Sequence, residues 1–454
     1  MVMVREKSFY KTLVTLSLPI VLQNVITFLV GLADNVMVSR LGETAVSGVY
    51  VANQITTFLQ LLVTGLGAAL TVLSAQYWGI NDKRSVKRII ATVFRFSLYV
   101  SLVLFLVVFF FPEAVLSVFT DETQVITEGA RYIRILSFTY IPFCITNVLI
   151  AAMRCVETVK IGTKVAFCAL FINVFFNWVL IFGKLSFPAL GIRGAAFATL
   201  ISRLAELAIM IVYVFVIDKK LKMRVSDFFK RDKALLRQFI SYGLPVIFGD
   251  LLWGINLVTQ AVIVGHLGTV SIAAVSIANN IFSIVSVGLY GVRDGSAIII
   301  GKTVGAGDND RVKLYAKTLQ VVYVMLGVVT SILITLTKLL IPYLYSGMDA
   351  QTIELAKNLI TVLSVTVLGT AYQMASLTGI VRAGGETKFV LINDLIFVWL
   401  VVIPSAAIAA FVFSAPTWIV FACLKCDQII KCAVAAVKVN RFNWIKNLTK
   451  THIS

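Results

Sequence analysis

Long apolar runs alternate with short polar connectors along the whole chain. Most of these runs reach the roughly 20 residues that a helix needs to cross a bilayer. The alternating pattern of a membrane barrel is absent. We therefore predict an all-α polytopic membrane protein. Its twelve transmembrane helices are expected at 13–38, 49–78, 89–111, 132–153, 165–182, 194–217, 239–264, 272–301, 316–345, 353–381, 389–413 and 418–437.

The first apolar runs recur without a gap later in the chain, which indicates an internal duplication. The pairs are Leu18-Pro19 with Leu244-Pro245, Leu41-Gly42 with Leu267-Gly268, Ala52-Asn53 with Ala278-Asn279, Gly79 with Gly305, and Val86-Lys87 with Val312-Lys313. We predict two six-helix bundles, 1–217 and 238–454, joined by a basic cytoplasmic linker at 218–237. Because six crossings return the chain to its starting side, the bundles are expected to be related by a pseudo-two-fold axis along the membrane normal.

Composition agrees with a membrane location. The chain is 59% hydrophobic and 14% charged, whereas soluble domains carry about 25% charged residues. The net charge of +18 lies in alternate connectors, at 83–88, 154–164, 219–233, 311–313 and 382–388, and no basic stripe suggests nucleic acid as a partner. Basic connectors face the cytoplasm. Both termini are therefore expected to be cytoplasmic, in a monomer that crosses the plasma membrane many times.

The sequence also lacks the motifs of several function classes. It has no G-x-x-x-x-G-K-[ST] phosphate loop and no polar segment large enough to bind ATP. Its six cysteines lie in or beside apolar runs, where they are typical of helix packing. We expect no enzyme activity and no cofactor, and uphill transport would have to be driven by an ion gradient.

Asp34 is an isolated acid in the first apolar run, and the second copy of the repeat has Gln260 at its position. A charge at mid-bilayer costs about 2.5–3.5 kcal/mol on insertion scales, so such a residue needs a partner or a function. Asp34 is suited to binding a proton, or to ligating Na⁺ together with other oxygens. The alternatives are a carboxyl bonded to a neighbouring helix or one that remains in contact with outer water.

Further polar candidates lie in predicted helices 5 and 6. Asn173 and Asn177 are four residues apart and share one helix face. Their carboxamide oxygens suit a cation site, but amides also hold helices together in membranes. Thr199 has the same two interpretations. Arg203 and Glu206, three residues apart, are expected to pair.

The second half has a different set of polar residues. The candidates for contact with substrate are Asp250, Trp253, Tyr290, Arg293 and Asp294. The aromatic rings can stack on organic cations, and the charges either bind substrate or pair with each other. In predicted helix 12 we expect Lys425, Asp427 and Lys431 to lie near the cytoplasmic end and reach water, the lysines by snorkelling.

Several short motifs occur together in a characteristic order. They are Leu18-Pro19, Gly31-Leu32-Ala33-Asp34, Arg40-Leu41-Gly42, Gln76-Tyr77-Trp78-Gly79, 188–199, Gly305-Ala306-Gly307-Asp308, 382–387 and 427–431. With the duplication, this set resembles the multidrug and toxic compound extrusion (MATE) transporters over essentially the whole chain. The resemblance implies two bundles in a V that export bulky, often cationic, organic compounds in exchange for H⁺ or Na⁺.

The resemblance also implies roles for individual residues. Asp34 matches the family's acid on helix 1, and Asn173 and Thr199 match members of the cation site in the DinF-like branch. Asn177 replaces that branch's second acid, which favours H⁺ over Na⁺ as the coupling ion. The helix 7 glutamate of NorM-like members falls on Trp253, and Asp250 lies three residues earlier.

Two other functions remain as alternatives. A lipid-linked precursor flippase of the same superfamily would need further spans and a cationic cavity, for which Arg293 is the one indication. A membrane-embedded transferase or polymerase would need a large extracytoplasmic loop with catalytic acids, and the connector at 113–131 is short for that task.

Overall fold

A computed structural model describes residues 3–345 and 347–450. Within these ranges all regular structure is helical. The twelve spans are α1 Lys7–Val38, α2 Glu43–Gly79, α3 Lys83–Phe110, α4 Thr123–Cys155, α5 Lys160–Phe182, α6 Ile192–Ile217, α7 Lys233–Gly265, α8 Thr269–Gly305, α9 Asn309–Thr337, α10 Ala350–Val381, α11 Thr387–Val412 and α12, which has the two segments Thr417–Leu424 and Asp427–Arg441. The predicted all-α membrane fold of twelve helices is confirmed.

Two spans in the second half are interrupted. Ten of the described helices are long and apolar enough to cross a membrane by themselves. By contrast, α8 bends by 45° between Val285 and Val287, and α12 is broken at Lys425 and Cys426. Interrupted helices expose backbone groups inside the membrane, and transporters use them to build binding sites.

The ends of several helices differ from the prediction. The α4 span begins at Thr123 rather than at 132, because an amphipathic helical stretch precedes its apolar part. The α9 span ends at Thr337 rather than at 345. The α7 span starts within the predicted linker, where the Asp232 carboxylate accepts hydrogen bonds from the backbone N–H groups of Ala234 and Leu235.

The duplication is visible in local geometry as well as in sequence. Gly42 before α2 has φ 101° and ψ 167°, and Gly268 before α8 has φ 93° and ψ 169°. Glycine adopts such positive φ values without steric cost. The Asp82 and Asp308 side chains both cap the helix that follows them, α3 and α9 respectively. The two copies therefore use the same turns at the same positions.

Each compact unit of the structure includes the start of a helix from the other half of the sequence. One unit contains Leu22–Gly243, and the other joins the residues before Leu22 to those from Leu244 onward. In the second unit, Ser17 of α1 packs so closely against Gly295 of α8 that a side chain at Gly295 would overlap it. In the first unit, Gly243 of α7 lies against Ala69 of α2. Ser17 and Gly243 occupy equivalent positions of the repeat, and so do Gly295 and Ala69. The two contacts therefore correspond to each other, and small residues permit both close approaches.

The linker between α6 and α7 is held to the first unit by a buried carboxylate. Asp227 accepts hydrogen bonds from Lys87 Nζ at 3.2 Å, Lys230 Nζ at 3.0 Å and the backbone N–H of Arg224 at 3.1 Å. Phe228 packs on Phe94 with ring centroids 4.6 Å apart. Burial raises the pKa of Asp227, but the three hydrogen bonds outweigh it, so the pKa lies below its usual range.

We expect Asp227→Asn to loosen the linker by the same factor at every pH from about 5 to 8, since Asp227 stays ionised above its ordinary pKa of about 4. Because its folded pKa is lowered, the stabilisation is lost only as pH falls through that lowered value. A pair of this kind contributes about 1 kcal/mol, so protection of linker amides should fall about fivefold. The measurement is hydrogen–deuterium exchange, corrected for intrinsic rates.

The matched control is Asp310→Asn, which removes a carboxylate that is 98% exposed and 3.8 Å from Lys313. It should leave amide protection unchanged. A loss of wild-type linker protection between pH 7 and pH 5 would contradict the assigned role of Asp227.

Candidate ion-coupling site

One carboxylate of α1 and two amides of α5 form a cluster inside the first unit. Asn173 and Asn177 face the same side of α5 and are buried, with exposures of 1% and 0%. The Asn177 amide donates hydrogen bonds to Asp34 Oδ1 and, at 3.1 Å, to Asn173 Oδ1. The structure therefore brings together three of the four residues that the sequence singled out for cation coupling.

The cluster is rich in oxygen atoms and carries one negative charge. The Asn177 Oδ1 atom is buried and has no hydrogen-bond partner among the described residues. The Asp34 carboxylate forms no ion pair in the described part of the chain; the nearby helix α6 has Arg203, but its guanidinium is bound to Glu206 at 2.8 and 3.1 Å. The predicted pairing of Arg203 with Glu206 is confirmed.

Thr199 is not hydrogen-bonded to this cluster. Its hydroxyl donates to the backbone oxygen of Ala195 at 3.0 Å, one turn earlier in α6. Such a bond within one helix satisfies the hydroxyl without help from a neighbouring helix.

Each charged substrate candidate of the second half has a partner of opposite charge. Asp250 on α7 accepts from Arg382 Nη1 at 3.1 Å, and Arg293 pairs with the adjacent Asp294 at 2.7 Å. The Arg293 guanidinium also lies 5.3 Å from the centre of the Tyr290 ring.

Trp253 lies one turn after Asp250 on α7, and its side chain is 44% exposed. Trp253 borders a small cavity of about 20 Å³ that Asp394 and Trp399 also line. The pairing of Asp250 with Arg382 was not predicted from the sequence, because residue spacing along the chain does not reveal which side chains of α7 and α10 meet.

A buried ionic network around α12 was not predicted from the sequence. The Lys431 ammonium lies 2.9 Å from Asp394 Oδ1 on α11 and 3.1 Å from Asp427 Oδ2. Gln428 donates to Asp427 Oδ1 at 2.9 Å and accepts from Gln373 of α10 at 2.8 Å. The prediction that Lys431 and Asp427 reach water is wrong, because they are 2% and 3% exposed in the interior of the second unit.

Comparison with known proteins gives consistent matches along the chain. The sequence profile of the MatE family matches residues 19–179 and again 245–408, so its two copies start at equivalent positions of the repeat. The multidrug resistance protein MdtK of Pectobacterium atrosepticum is 25% identical over 401 residues, 88% of this chain and 87% of that protein. A probable multidrug resistance protein NorM of Mesorhizobium japonicum is 27% identical over 411 residues, covering 88% of this chain and 86% of that protein.

A solved structure has the same fold. The eukaryotic MATE transporter AtDTX14 superposes with a TM-score of 0.84 at 19% identity, covering 97% of both chains. The family profile covers well over half of this chain, in the order that the motifs and the duplication predict. The expected family is therefore confirmed: this multi-pass membrane protein belongs to the MATE family.

Proposed function

We propose that this protein is a secondary antiporter that exports organic compounds, many of them cationic, in exchange for inward-moving H⁺. Asp34 is the coupling group, and transport proceeds by alternating access with both termini in the cytoplasm. The observation that carries the proposal is a carboxylate within a membrane span that has amide partners and, among the described residues, no ion pair. Relatives with the names MdtK and NorM, described as multidrug resistance proteins, support the class of substrate.

The ligands around Asp34 favour H⁺ over Na⁺. When protonated, the carboxyl group becomes a donor, and Asn177 Oδ1 is a buried acceptor without a partner. A dehydrated Na⁺ would need several oxygens directed at one point, whereas Asn177 directs an N–H group toward the carboxylate. A single negative charge also gives less compensation for a bound cation than two carboxylates would.

Coupling requires that the ion and the organic compound affect each other's binding. If protonation of Asp34 lowers the affinity for the exported compound, then bound compound must lower the proton affinity of Asp34 by the same factor. Under this scheme an inward proton gradient drives release of the compound outside. Asn173 and Asn177 hold the carboxylate in place in its charged form.

A proteoliposome experiment tests the proposal. Purified protein is reconstituted with a fluorescent organic cation, and a pH gradient or a Na⁺ gradient is imposed separately. We expect accumulation of dye with the pH gradient alone. Accumulation driven by Na⁺ at uniform pH would show that the assigned ion is wrong, and no response to either gradient would overturn the antiport function itself.

The flippase alternative has less support. Arg293, its one cationic feature, is bound to Asp294 at 2.7 Å and is therefore not free to bind a lipid phosphate. Under the same experiment a flippase would leave the dye gradient unchanged and would move a labelled lipid instead.

A further inference from the structure

The second unit has a polar cluster at the position where the repeat places the counterpart of Asp34. There α7 carries Gln260, whose Nε2 donates to Asn256 Oδ1 at 3.1 Å. Both side chains are buried, with exposures of 9% and 1%. The duplicated position therefore has neutral amides in place of the carboxylate.

A cation lies beside these amides. The Lys425 ammonium is 3.4 Å from Gln260 Oε1 and 5.5 Å from the centre of the Phe421 ring. Lys425 occupies the break in α12, at the C-terminal end of the Thr417–Leu424 segment. The last carbonyl groups of a helix lack helical partners, and a positive charge is favoured next to them.

Lys425 differs from Lys431 and Arg203 in having no carboxylate partner in the described part of the chain. In the described residues no acidic side chain lies within ion-pair distance of its ammonium, whereas Lys431 has two and Arg203 has one. An uncompensated charge inside a membrane is costly, and such residues are retained for function. The Lys425 residue is half-buried.

We propose that Lys425, Gln260 and Asn256 form an anion-binding subsite that takes a carboxylate of the exported compound. The proposal rests on the export function and adds a class of substrate to it. The ammonium pairs with the carboxylate in place of its contact with Gln260 Oε1, and the neutral pair of Gln260 and Asn256 supplies no competing negative charge. Exported compounds that carry an acidic group are therefore preferred over the corresponding neutral esters.

Two forms of one dye provide a direct test. A rhodamine with a free carboxylate is zwitterionic, and its ethyl ester has the same ring system and cation without the acid. Binding of each to the purified protein in neutral detergent is measured by fluorescence anisotropy. We expect the wild type to bind the acid more tightly, and Lys425→Met to weaken binding of the acid by about ten- to one-hundredfold while leaving the ester unchanged.

A second variant retains the lysine. Gln260→Glu places a carboxylate of nearly the same shape against the ammonium, which then has an internal partner. Like Lys425→Met, it should remove the preference for the acid without weakening binding of the ester.

The matched control is Lys338→Met. It removes an ammonium that, like that of Lys425, binds a neutral oxygen, Thr361 Oγ1 at 2.6 Å, and it should change the affinity for neither dye.

Three results would overturn the subsite: equal affinities of the wild type for the two dyes, equal losses for both dyes in Lys425→Met, or unchanged preference in Gln260→Glu. Displacement of the acid by added phosphatidylglycerol from the wild type, but not from Lys425→Met, would assign the ammonium to a lipid phosphate and would also overturn it. Because binding in detergent needs no gradient, the preference can hold or fail independently of proton-driven export.

Discussion

Replacement of Asp34 by asparagine is expected to reduce pH-driven dye transport to the level of protein-free liposomes. Asparagine is nearly isosteric and retains hydrogen bonding to Asn177, but it neither binds nor releases a proton. The measurement is dye accumulation in proteoliposomes under an imposed pH gradient, with the reconstituted protein quantified on the same vesicles.

The loss should be specific to coupling. Expression and thermal stability should stay near those of the wild type. Asp310→Asn, which removes an exposed carboxylate, should transport normally. Undiminished pH-driven transport by Asp34→Asn would show that the proton passes elsewhere.

Lys431→Met is expected to lower the free energy of unfolding by about 3–5 kcal/mol. The substitution leaves Asp394 and Asp427 without their shared cation, and Asp427 is 3% exposed. Breaking one partner of a buried ion network costs far more than removing the whole network. Thermal unfolding of the purified protein in detergent, followed by intrinsic fluorescence, measures the effect.

The triple variant Lys431→Met, Asp394→Asn, Asp427→Asn provides the decisive comparison. Because it removes all three charges, it should recover most of the stability that the single variant loses. Lys317→Met is the matched lysine control, since the Lys317 ammonium lies 5.8 Å from the centre of the Phe442 ring and forms no ion pair with any described residue. If Lys431→Met were as mild as Lys317→Met, the triad would not contribute to stability.

The fold was predictable because its main determinants are local. The apolar runs define the spans, and the repeat of Leu18-Pro19 at Leu244-Pro245 defines the two halves. Turn residues such as Gly42 and Gly268 adopt the same conformation in both copies. The interruption of α12 was missed, because hydropathy measures the apolarity of a segment and does not report whether its backbone continues as a helix.

The candidate site was predictable in part. Spacing placed Asn173 and Asn177 on one face of α5, but the bond from Asn177 to Asp34 joins two helices and leaves no periodic trace in the sequence. The burial of Lys431 was missed for the same reason. Its partner Asp394 lies on α11, and an isolated view of α12 suggests a lysine that extends toward water.

The close contacts of Ser17 with Gly295 and of Gly243 with Ala69 have a consequence for biosynthesis and ancestry. When the first six helices emerge from the ribosome, the start of α1 has no packing partner until α8 is made. We therefore expect that neither half of the chain completes its helix packing when expressed alone. Before the duplication, the ancestral six-helix protein would have needed two copies that exchanged their first helical turns, and fusion of the two genes made that exchange permanent.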